Sequence, residues 1–157
     1  MNGYLLGRLQ PLTISHSNII EKMKIENDNV TILLVKGKGT SKDKGRNPLC
    51  VQTQIELIKE VHPDVNVEII STGYFPDYIE DMSKATVYTG TDRLKAYTNM
   101  AKDSGVTIKE IERTDDDISA SKVRQSLIDD DYKSFQTMTP IEIHKYYDRL
   151  KSVIKGK

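Results

Sequence analysis

The sequence predicts a doubly wound α/β domain in which helices connect parallel strands. Short β-branched and apolar runs alternate with segments of about ten residues whose apolar positions recur at helical spacing. The run at residues 30–35 is almost continuously apolar, which is typical of a strand covered on both faces. The chain of 157 residues shows no internal repeat, no low-complexity tract and no composition change that would mark a linker. We therefore predict a single domain over residues 1–157.

The first half of the chain supplies alternating strands and helices. In the strand segments, Val, Ile and Leu follow one another directly, whereas in the helical segments apolar residues recur three or four positions apart. The predicted elements, in order, are a strand at 3–6, a helix at 14–23, a strand at 29–36, a helix at 50–61 and a strand at 65–70.

The second half continues the alternation and then ends in helices. We predict, in order, a strand at 85–89, a helix at 92–102, a strand at 106–111 and closing helices at 121–129 and 140–154. Strands that alternate with helices of this length require right-handed crossovers between parallel strands. The expected architecture is a single Rossmann-like parallel sheet with helices on both faces and a C-terminal helical tail.

Composition and charge exclude several classes of protein. The chain is 37% hydrophobic and 29% charged, which is the profile of a globular domain rather than a disordered one. Its 23 basic and 23 acidic side chains cancel, so a protein that coats nucleic acid or another polyanion is not expected. With one cysteine, Cys50, no apolar stretch of membrane-spanning length and no basic leader, we expect a cytoplasmic protein without membrane contact.

In a parallel sheet, ligands bind beyond the carboxyl ends of the strands. Here those loops fall at residues 8–16, 36–48, 90–92 and 114–124. In the first of them, Thr13 is placed to cap a helix, and His16 would lie in its first turn beside amides that attract an anion. This pattern indicates a phosphate site, but an ordinary cap and a surface histidine explain the same residues.

Two motifs resemble those of the nucleotidylyltransferase superfamily. Gly7-Arg8-Leu9-Gln10-Pro11 followed by Thr13-x-Ser15-His16 is similar to its first signature, a GRFQP-like strand end with an (H/T)xGH motif. Ile118-Ser119-Ala120-Ser121-Lys122-Val123-Arg124 is similar to its second, ISxTxxR. The two occur in the family's order and are widely separated, which makes their combination specific.

The resemblance extends over nearly the whole chain. Arg46-Asn47-Pro48-Leu49, with Gln54 beyond it, resembles a segment of nicotinamide-mononucleotide adenylyltransferases, and Thr89-Gly90-Thr91-Asp92 resembles the family's turn after its fourth strand. The tail from Asp129 onward also matches. One departure stands out, since Ser15 occupies the position of the motif glycine and adds a side chain where the family brings nucleotide close to the backbone.

The resemblance implies a role for each matching residue. His16, Thr13 and Arg124 would be the catalytic residues that contact phosphate. The nucleotide-binding residues implied are Gly7, Arg8, Gln10, Ser15, Gly90, Asp92, Ser119 and Ser121, and the substrate phosphate-binding residues are Arg46 and Lys36. Mg²⁺ would be held mainly by ATP phosphates, so no protein residue is predicted as a metal ligand.

Simpler interpretations remain for several of these residues. Ser119 or Ser121 is also placed to act as an ordinary N-cap with Arg124 exposed, and Asp92 is a candidate N-cap in its own right. The lysines near Lys36 are compatible with a solvated turn. The acidic runs at 115–117 and 129–131 are interpreted as solvated because consecutive residues do not converge easily on one ion. His62 and His144 lack the spaced partners of a zinc site.

The implied activity is transfer of AMP from ATP to a small phosphorylated acceptor with release of pyrophosphate. Nicotinamide mononucleotide, giving NAD, is the acceptor that the resemblance favours. The alternatives are a cytidylyltransferase, a phosphopantetheine adenylyltransferase, or a catalytically degenerate nucleotide-binding protein. The expected partners are ATP and the acceptor, without nucleic acid, and a homo-oligomer remains open.

Overall fold

Five parallel strands form one sheet, and the computed structural model describes residues 1–36, 48–111 and 120–156 of the chain. The strands are β1 (Asn2–Gly7), β2 (Asn29–Val35), β3 (Asn66–Ile70), β4 (Ala85–Thr89) and β5 (Thr107–Glu110). Their spatial order is β3-β2-β1-β4-β5, and every neighbouring pair is parallel. The predicted doubly wound α/β sheet is confirmed.

The sheet reverses its direction of growth between β1 and β4. From β1 the chain adds β2 and then β3 on one side, and it then returns to place β4 against the other side of β1. The register pairs Gly3 of β1 with Val30 on one side and with Thr86 on the other. Such a reversal is the position at which doubly wound sheets bind ligands, beyond the carboxyl ends of the two strands. The chain leaves β1 at Gly7 and β4 at Thr89.

Six α-helices lie among the described residues. They are α1 (Ile14–Glu26), α2 (Val51–Val61), α3 (Thr91–Met100), α4 (Ala120–Ile128), α5 (Tyr132–Met138) and α6 (Tyr147–Lys155). Short 3₁₀ segments occur at Phe75–Asp77, Met82–Lys84 and Ile141–Tyr146. None of the helices in this part of the chain is both long and apolar enough to cross a membrane.

The chain groups into two compact units. The first comprises Met1–Gly7, Ile19–Val35 and Val65–Asp115, and thus contains the whole sheet. Its core combines strand residues such as Leu33 and Val87 with Phe75, whose ring meets that of Tyr97 edge to face at 5.2 Å between centroids. Burial of such side chains is the main force holding the sheet together.

The second unit comprises Arg8–Asn18, Lys36–Asp64 and Asp116–Lys157. Helix α4 packs against α5 and α6, and α2 packs against the segment Ile141–Tyr146. Its buried side chains include Leu57, Val123, Phe135 and Leu150. The prediction of a single domain over 1–157 stays a prediction.

Two differences from the predicted elements lie in the C-terminal part. Residues 132–138, for which no element was predicted, form α5, because Asp131 caps it and Phe135 is buried. The predicted helix at 140–154 is divided into the 3₁₀ segment Ile141–Tyr146 and α6. The other predicted strands and helices agree with the structure to within three residues at each end.

Candidate functional site

Thr13 caps the helix that follows β1. The amide of His16 donates to Thr13 Oγ1 at 3.2 Å, and the amide of Ser17 donates to the Thr13 carbonyl at 3.0 Å. The predicted cap is confirmed, and the Thr13 side chain is fully buried. The first turn of α1 contains no acidic residue, so its positive end favours an anion.

The same residue orients the His16 ring. His16 Nδ1 accepts a hydrogen bond from the Thr13 amide at 3.1 Å and lies 3.2 Å from Thr13 Oγ1. Because Nδ1 acts as an acceptor, the proton of the neutral imidazole lies on Nε2. The half-buried His16 ring is therefore set to act as a donor through Nε2, with Thr13 holding it in this orientation. The catalytic roles of Thr13, His16 and Arg124 stay predictions.

Gln10 fastens the loop to the segment before α2. Its Nε2 donates to the Leu49 carbonyl at 2.9 Å, and its Oε1 accepts from the Leu49 amide at 2.7 Å. The side chain is 2% exposed. These contacts give Gln10 a holding role in the structure, and its nucleotide-binding role stays a prediction.

Gln54 holds the residues that precede Gln10. Its Nε2 donates to the carbonyl of Arg8 and, at 3.2 Å, to that of Leu9. Leu9 lies in the left-handed region with φ of 43°, which costs a branched side chain about 1–2 kcal/mol. Gln54 Oε1 is buried without a hydrogen-bond partner in the described part of the chain, at a cost of about 1–3 kcal/mol.

Arg124 makes a hydrogen bond to this loop although it lies far from it in the sequence. Its Nη1 donates to the Gln10 carbonyl at 2.8 Å, although the two residues are 114 positions apart. This hydrogen bond uses one of the five N–H donors of the guanidinium. Arg124 is half-buried on α4, whose first turn also contains no acidic residue. The last residue of the predicted second motif thus contacts the first motif directly.

The binding roles of the remaining predicted residues of this unit stay predictions. Arg8 and Lys36 are exposed, and Ser15 is half-buried in the first turn of α1. Ser121 is exposed at the second position of α4, inside the helix rather than at its cap. Arg46 and Ser119 lie outside the described residues.

Gly7, Gly90 and Asp92 belong to the first unit, where Gly7 ends β1. The N-cap of α3 is Gly90, so the candidate cap at Asp92 is wrong: Asp92 is the second residue of the helix. The side chain of Asp92 is outside the described part of the structure. The nucleotide-binding roles of these three residues remain predictions.

Among the described residues, no group of three or more His, Cys, Asp or Glu side chains is placed to hold a metal ion. His62, excluded as a zinc ligand, is fully buried, and its Nε2 lies 2.8 Å from Ser17 Oγ. The acidic run at 115–117 falls outside the described residues. In the other run, Asp131 caps α5 and Asp130 pairs with Lys155 at 2.7 Å.

Sequence analysis missed the structural parts played by Leu49 and Gln54. Gln54 lies three residues after Val51 and four before Ile58, on the apolar side of α2. A carboxamide in the middle of an apolar stripe was the signal, since buried polar groups are normally hydrogen-bonded. Nothing in the local pattern around Leu49 indicates that its backbone is clamped.

Cys50 adds a reactive group beside the clamped Leu49. It is exposed and occupies the N-cap of α2, with its Sγ 3.4 Å from Thr53 Oγ1. The hydrogen bond from the Thr53 hydroxyl, together with that from its amide, lowers the pKa of the Cys50 thiol below its usual value.

Comparison with known proteins finds solved structures of similar fold. No protein-family model matches the chain, and no curated protein matches its sequence. A bifunctional NMN adenylyltransferase/ADP ribose pyrophosphatase from Francisella tularensis matches 98% of this chain and 51% of its own, with a TM-score of 0.72 and 12% identity. NadR in complex with NAD and AMP-PNP matches 90% of this chain and 45% of its own, with a TM-score of 0.64 and 15% identity.

A third structure, Thermotoga maritima TmcAL bound with alpha-thio ATP, matches 99% of this chain and 56% of its own, with a TM-score of 0.67 and 10% identity. The chain therefore spans about half the length of these structures. At such identities the likeness shows the fold alone, a Rossmann-like α/β fold that this chain shares with an NMN adenylyltransferase structure.

Proposed function

We propose that the protein is a nucleotidylyltransferase that joins the AMP moiety of ATP to a phosphorylated acceptor and releases pyrophosphate. The acceptor that we propose is nicotinamide mononucleotide, which gives NAD. The observation that carries the proposal is the arrangement around the first loop. Thr13 turns the His16 ring so that Nε2 is its donor, and Arg124 is hydrogen-bonded to the Gln10 carbonyl of the same loop.

These groups suit a triphosphate because each supplies positive charge or a hydrogen-bond donor. The start of α1 attracts phosphate through its amides and dipole, and the Arg124 guanidinium is suited to bidentate binding of phosphate oxygens. His16 Nε2 would donate to oxygens that gain negative charge as the bond to pyrophosphate breaks. Such preorganised donors stabilise the transition state without any covalent intermediate on the protein.

The acceptor supplies its own nucleophile. A phosphate monoester is largely ionised near neutral pH, so its oxygen attacks the α-phosphorus of ATP without a strong general base. The protein's contribution is to place the two substrates in line and to balance charge on the leaving pyrophosphate. Mg²⁺, carried mainly by the ATP phosphates, would neutralise part of that charge.

The ligands of the structural neighbours support adenine nucleotides as substrates. A second Francisella structure of the bifunctional enzyme, at 12% identity and a TM-score of 0.71, is complexed with AMP and Mn ion. NadR holds NAD and AMP-PNP in one structure and NR in another, and TmcAL holds alpha-thio ATP. For this chain we propose ATP with a divalent cation, acting in the cytoplasm.

Other branches of the superfamily differ in nucleotide or acceptor. A cytidylyltransferase would use CTP with an alcohol phosphate, and a phosphopantetheine adenylyltransferase would use ATP with phosphopantetheine. A protein that binds nucleotide without turnover is favoured by one feature only, Ser15 in place of the motif glycine. We expect Ser15→Gly to leave turnover unchanged or to raise it, and a loss of turnover would show that the hydroxyl has a positive role.

The proposal is tested by incubating the purified chain with Mg²⁺, either ATP or CTP, and each phosphorylated acceptor separately. Pyrophosphate release and product mass are measured. We expect pyrophosphate and the mass of NAD from ATP with nicotinamide mononucleotide. A product from CTP would assign the cytidylyltransferase branch instead. ATP binding without turnover of any acceptor would contradict an enzymatic function.

A further inference from the structure

Gln54 reaches across the fold to two consecutive backbone carbonyls. It lies on α2 and is 1% exposed, and its Nε2 donates to the carbonyls of Arg8 and Leu9. The reverse orientation of the carboxamide would direct Oε1 at both carbonyls, so the contacts themselves fix which end is the donor. The opposite end, Oε1, is buried without a partner in the described part of the chain.

The two carbonyls flank the Cα atom of Leu9. The Arg8 carbonyl belongs to the peptide plane before that atom, and the Leu9 carbonyl belongs to the plane after it. A single donor that holds both therefore restricts φ and ψ of Leu9 together. Leu9 is the residue in this loop with a left-handed backbone, at φ 43°. The restraint therefore acts on a backbone conformation that is unfavourable for a residue with a side chain.

The direction of this turn determines where two cations lie. Arg8 forms the start of the turn, and its side chain is exposed. Gln10 follows the turn, and its carbonyl accepts from Arg124 Nη1 at 2.8 Å. Gln10 is itself fixed to the Leu49 backbone at 2.9 and 2.7 Å, so rotation at Leu9 would move Arg8 and the Gln10 carbonyl relative to this anchor.

We propose that Gln54 is a positioning residue of the nucleotide site, holding the Leu9 turn so that Arg8 and Arg124 meet the phosphates of ATP. This role rests on the proposed function, because the two arginines act on a nucleotide. Gln54 does not touch the substrate in this account. An ordinary core residue at this position would be apolar, since Leu or Met would fill the buried face of α2 without an unpaired oxygen.

The first test compares Gln54→Leu with Gln52→Leu, a matched change at an exposed position of the same helix. Binding of ATP with Mg²⁺ is measured by calorimetry on protein shown to be folded by circular dichroism. We expect the dissociation constant to rise about tenfold for Gln54→Leu and to stay at the wild-type value for Gln52→Leu. An unchanged constant in folded Gln54→Leu would overturn the proposal.

A second variant, Gln54→Glu, should make ATP binding depend on pH in a way that a simple loss of packing would not. In Gln54→Glu the ionised carboxylate faces two carbonyl oxygens and repels them, whereas the protonated acid again donates a hydrogen bond. Burial raises the pKa of the introduced carboxyl, so protonation falls within the accessible range. Relative to wild type at each pH, we expect ATP binding to be about tenfold weaker at pH 8 and to recover at pH 5.5.

The outcomes separate this inference from the function on which it rests. The positioning role would be overturned if the ratio of the ATP dissociation constants of Gln54→Glu and wild type did not change with pH, while Gln52→Glu bound ATP as wild type does. Failure of both Gln54 variants to fold would also overturn it, because Gln54 would then be a residue of the core. Wild-type protein that binds ATP but turns over no acceptor would remove the proposed function alone, and the comparison of ATP affinities would still decide the role of Gln54.

Discussion

Thr13 fixes the orientation of the His16 ring. The Thr13 amide and hydroxyl both lie within 3.2 Å of His16 Nδ1, and the hydroxyl also accepts from the His16 amide. One small residue therefore starts the helix, selects the tautomer of the ring and keeps Nε2 as its donor. The same contacts between Thr13 and His16 therefore cap the helix and orient the ring.

Replacing His16 with Ala tests the donor directly. We expect turnover in His16→Ala to fall roughly 100- to 1,000-fold, because removing one preorganised donor costs about 3–4 kcal/mol in the transition state. Stability should change little, since the Thr13 hydroxyl still caps the helix through the backbone amide. Steady-state kinetics and thermal unfolding measure the two effects. His144→Ala, the same change at a residue outside the loop, is the control, and equal activity in the two variants would contradict the assignment.

Cys50 offers a pH-dependent readout of the neighbouring helix start. Its thiol pKa is lowered, first by the hydrogen bond from the Thr53 hydroxyl, so the thiolate fraction at neutral pH is larger in the folded protein than in the unfolded one. Because the folded pKa is the lower of the two, the associated stability is present above the unfolded pKa and is lost as pH falls through the folded pKa.

We expect the rate of alkylation of Cys50 by iodoacetamide to rise with pH at a midpoint below that of the urea-unfolded chain. Thr53→Val should move the midpoint upward because it removes the hydrogen bond that has the largest effect on the pKa of the thiol. The chain has one cysteine, so mass spectrometry reports this site alone. Identical midpoints for the folded and unfolded protein would refute the assigned environment.

At the scale of elements, α2 connects two parts of its unit through opposite sides. Its buried side carries Gln54, whereas its exposed side pairs Glu56 with Arg149 of α6 at 2.5 and 3.2 Å and Glu60 with the Tyr146 hydroxyl at 2.8 Å. The Glu60 carboxylate raises the pKa of Tyr146 to about 12. Exposed pairs of this kind contribute little to the free energy of unfolding.

Helix α5 depends on its cap. Asp131 Oδ1 accepts from the Ser134 amide at 3.1 Å, and Oδ2 accepts from the Ser134 hydroxyl at 2.6 Å. These bonds lower the pKa of the Asp131 carboxyl, the hydroxyl having the larger effect. The stabilisation is therefore present above the unfolded pKa of about 3.9 and is lost as pH falls through the folded value.

We expect Asp131→Ala to lower the urea midpoint of unfolding at pH 7 more than Asp129→Ala, a matched change in the same acidic run. The difference between Asp131→Ala and wild type should shrink when the measurement is repeated at a pH below the folded pKa of Asp131. A difference that stays constant with pH would show that the carboxylate does not act as the cap.

Much of the fold was predictable from the sequence, and the reasons differ by element. The run at residues 30–35 identifies β2 because a strand buried on both faces needs unbroken apolar character. Helix α5 was missed because Phe135 is its one fully buried side chain, too little for an apolar period, and because Asp131 was interpreted as solvent-exposed charge. In the structure the Asp131 carboxylate is bonded to Ser134 and begins the helix.

The site was predictable only where its contacts are local. The Thr13 cap follows from spacing within one turn of helix. The hydrogen bonds from Gln10 to Leu49, from Gln54 to Arg8 and from Arg124 to Gln10 join residues 39, 46 and 114 positions apart. Sequence spacing carries no information about such contacts, so the two motifs identified their own residues but not the hydrogen bonds that join them to each other and to α2.

For the molecule as a whole, the formal charge of zero conceals local differences. The first turns of α1 and α4 contain no acid, while acidic side chains such as Glu56, Glu60 and Asp130 pair with cations elsewhere. A phosphate site does not require a basic protein, because amides, helix dipoles and an oriented guanidinium act at short range.

The central claim is that this chain transfers the AMP moiety of ATP to a phosphate acceptor. The most direct measurement uses ATP labelled at the α-phosphate and, in parallel, at the γ-phosphate, each with nicotinamide mononucleotide and Mg²⁺. We predict that the α label appears in a dinucleotide with the mass of NAD and the γ label in pyrophosphate, and that His16→Ala lowers both rates together. Release of the γ label as free phosphate, or retention of both labels in ATP while ATP binds, would contradict the account.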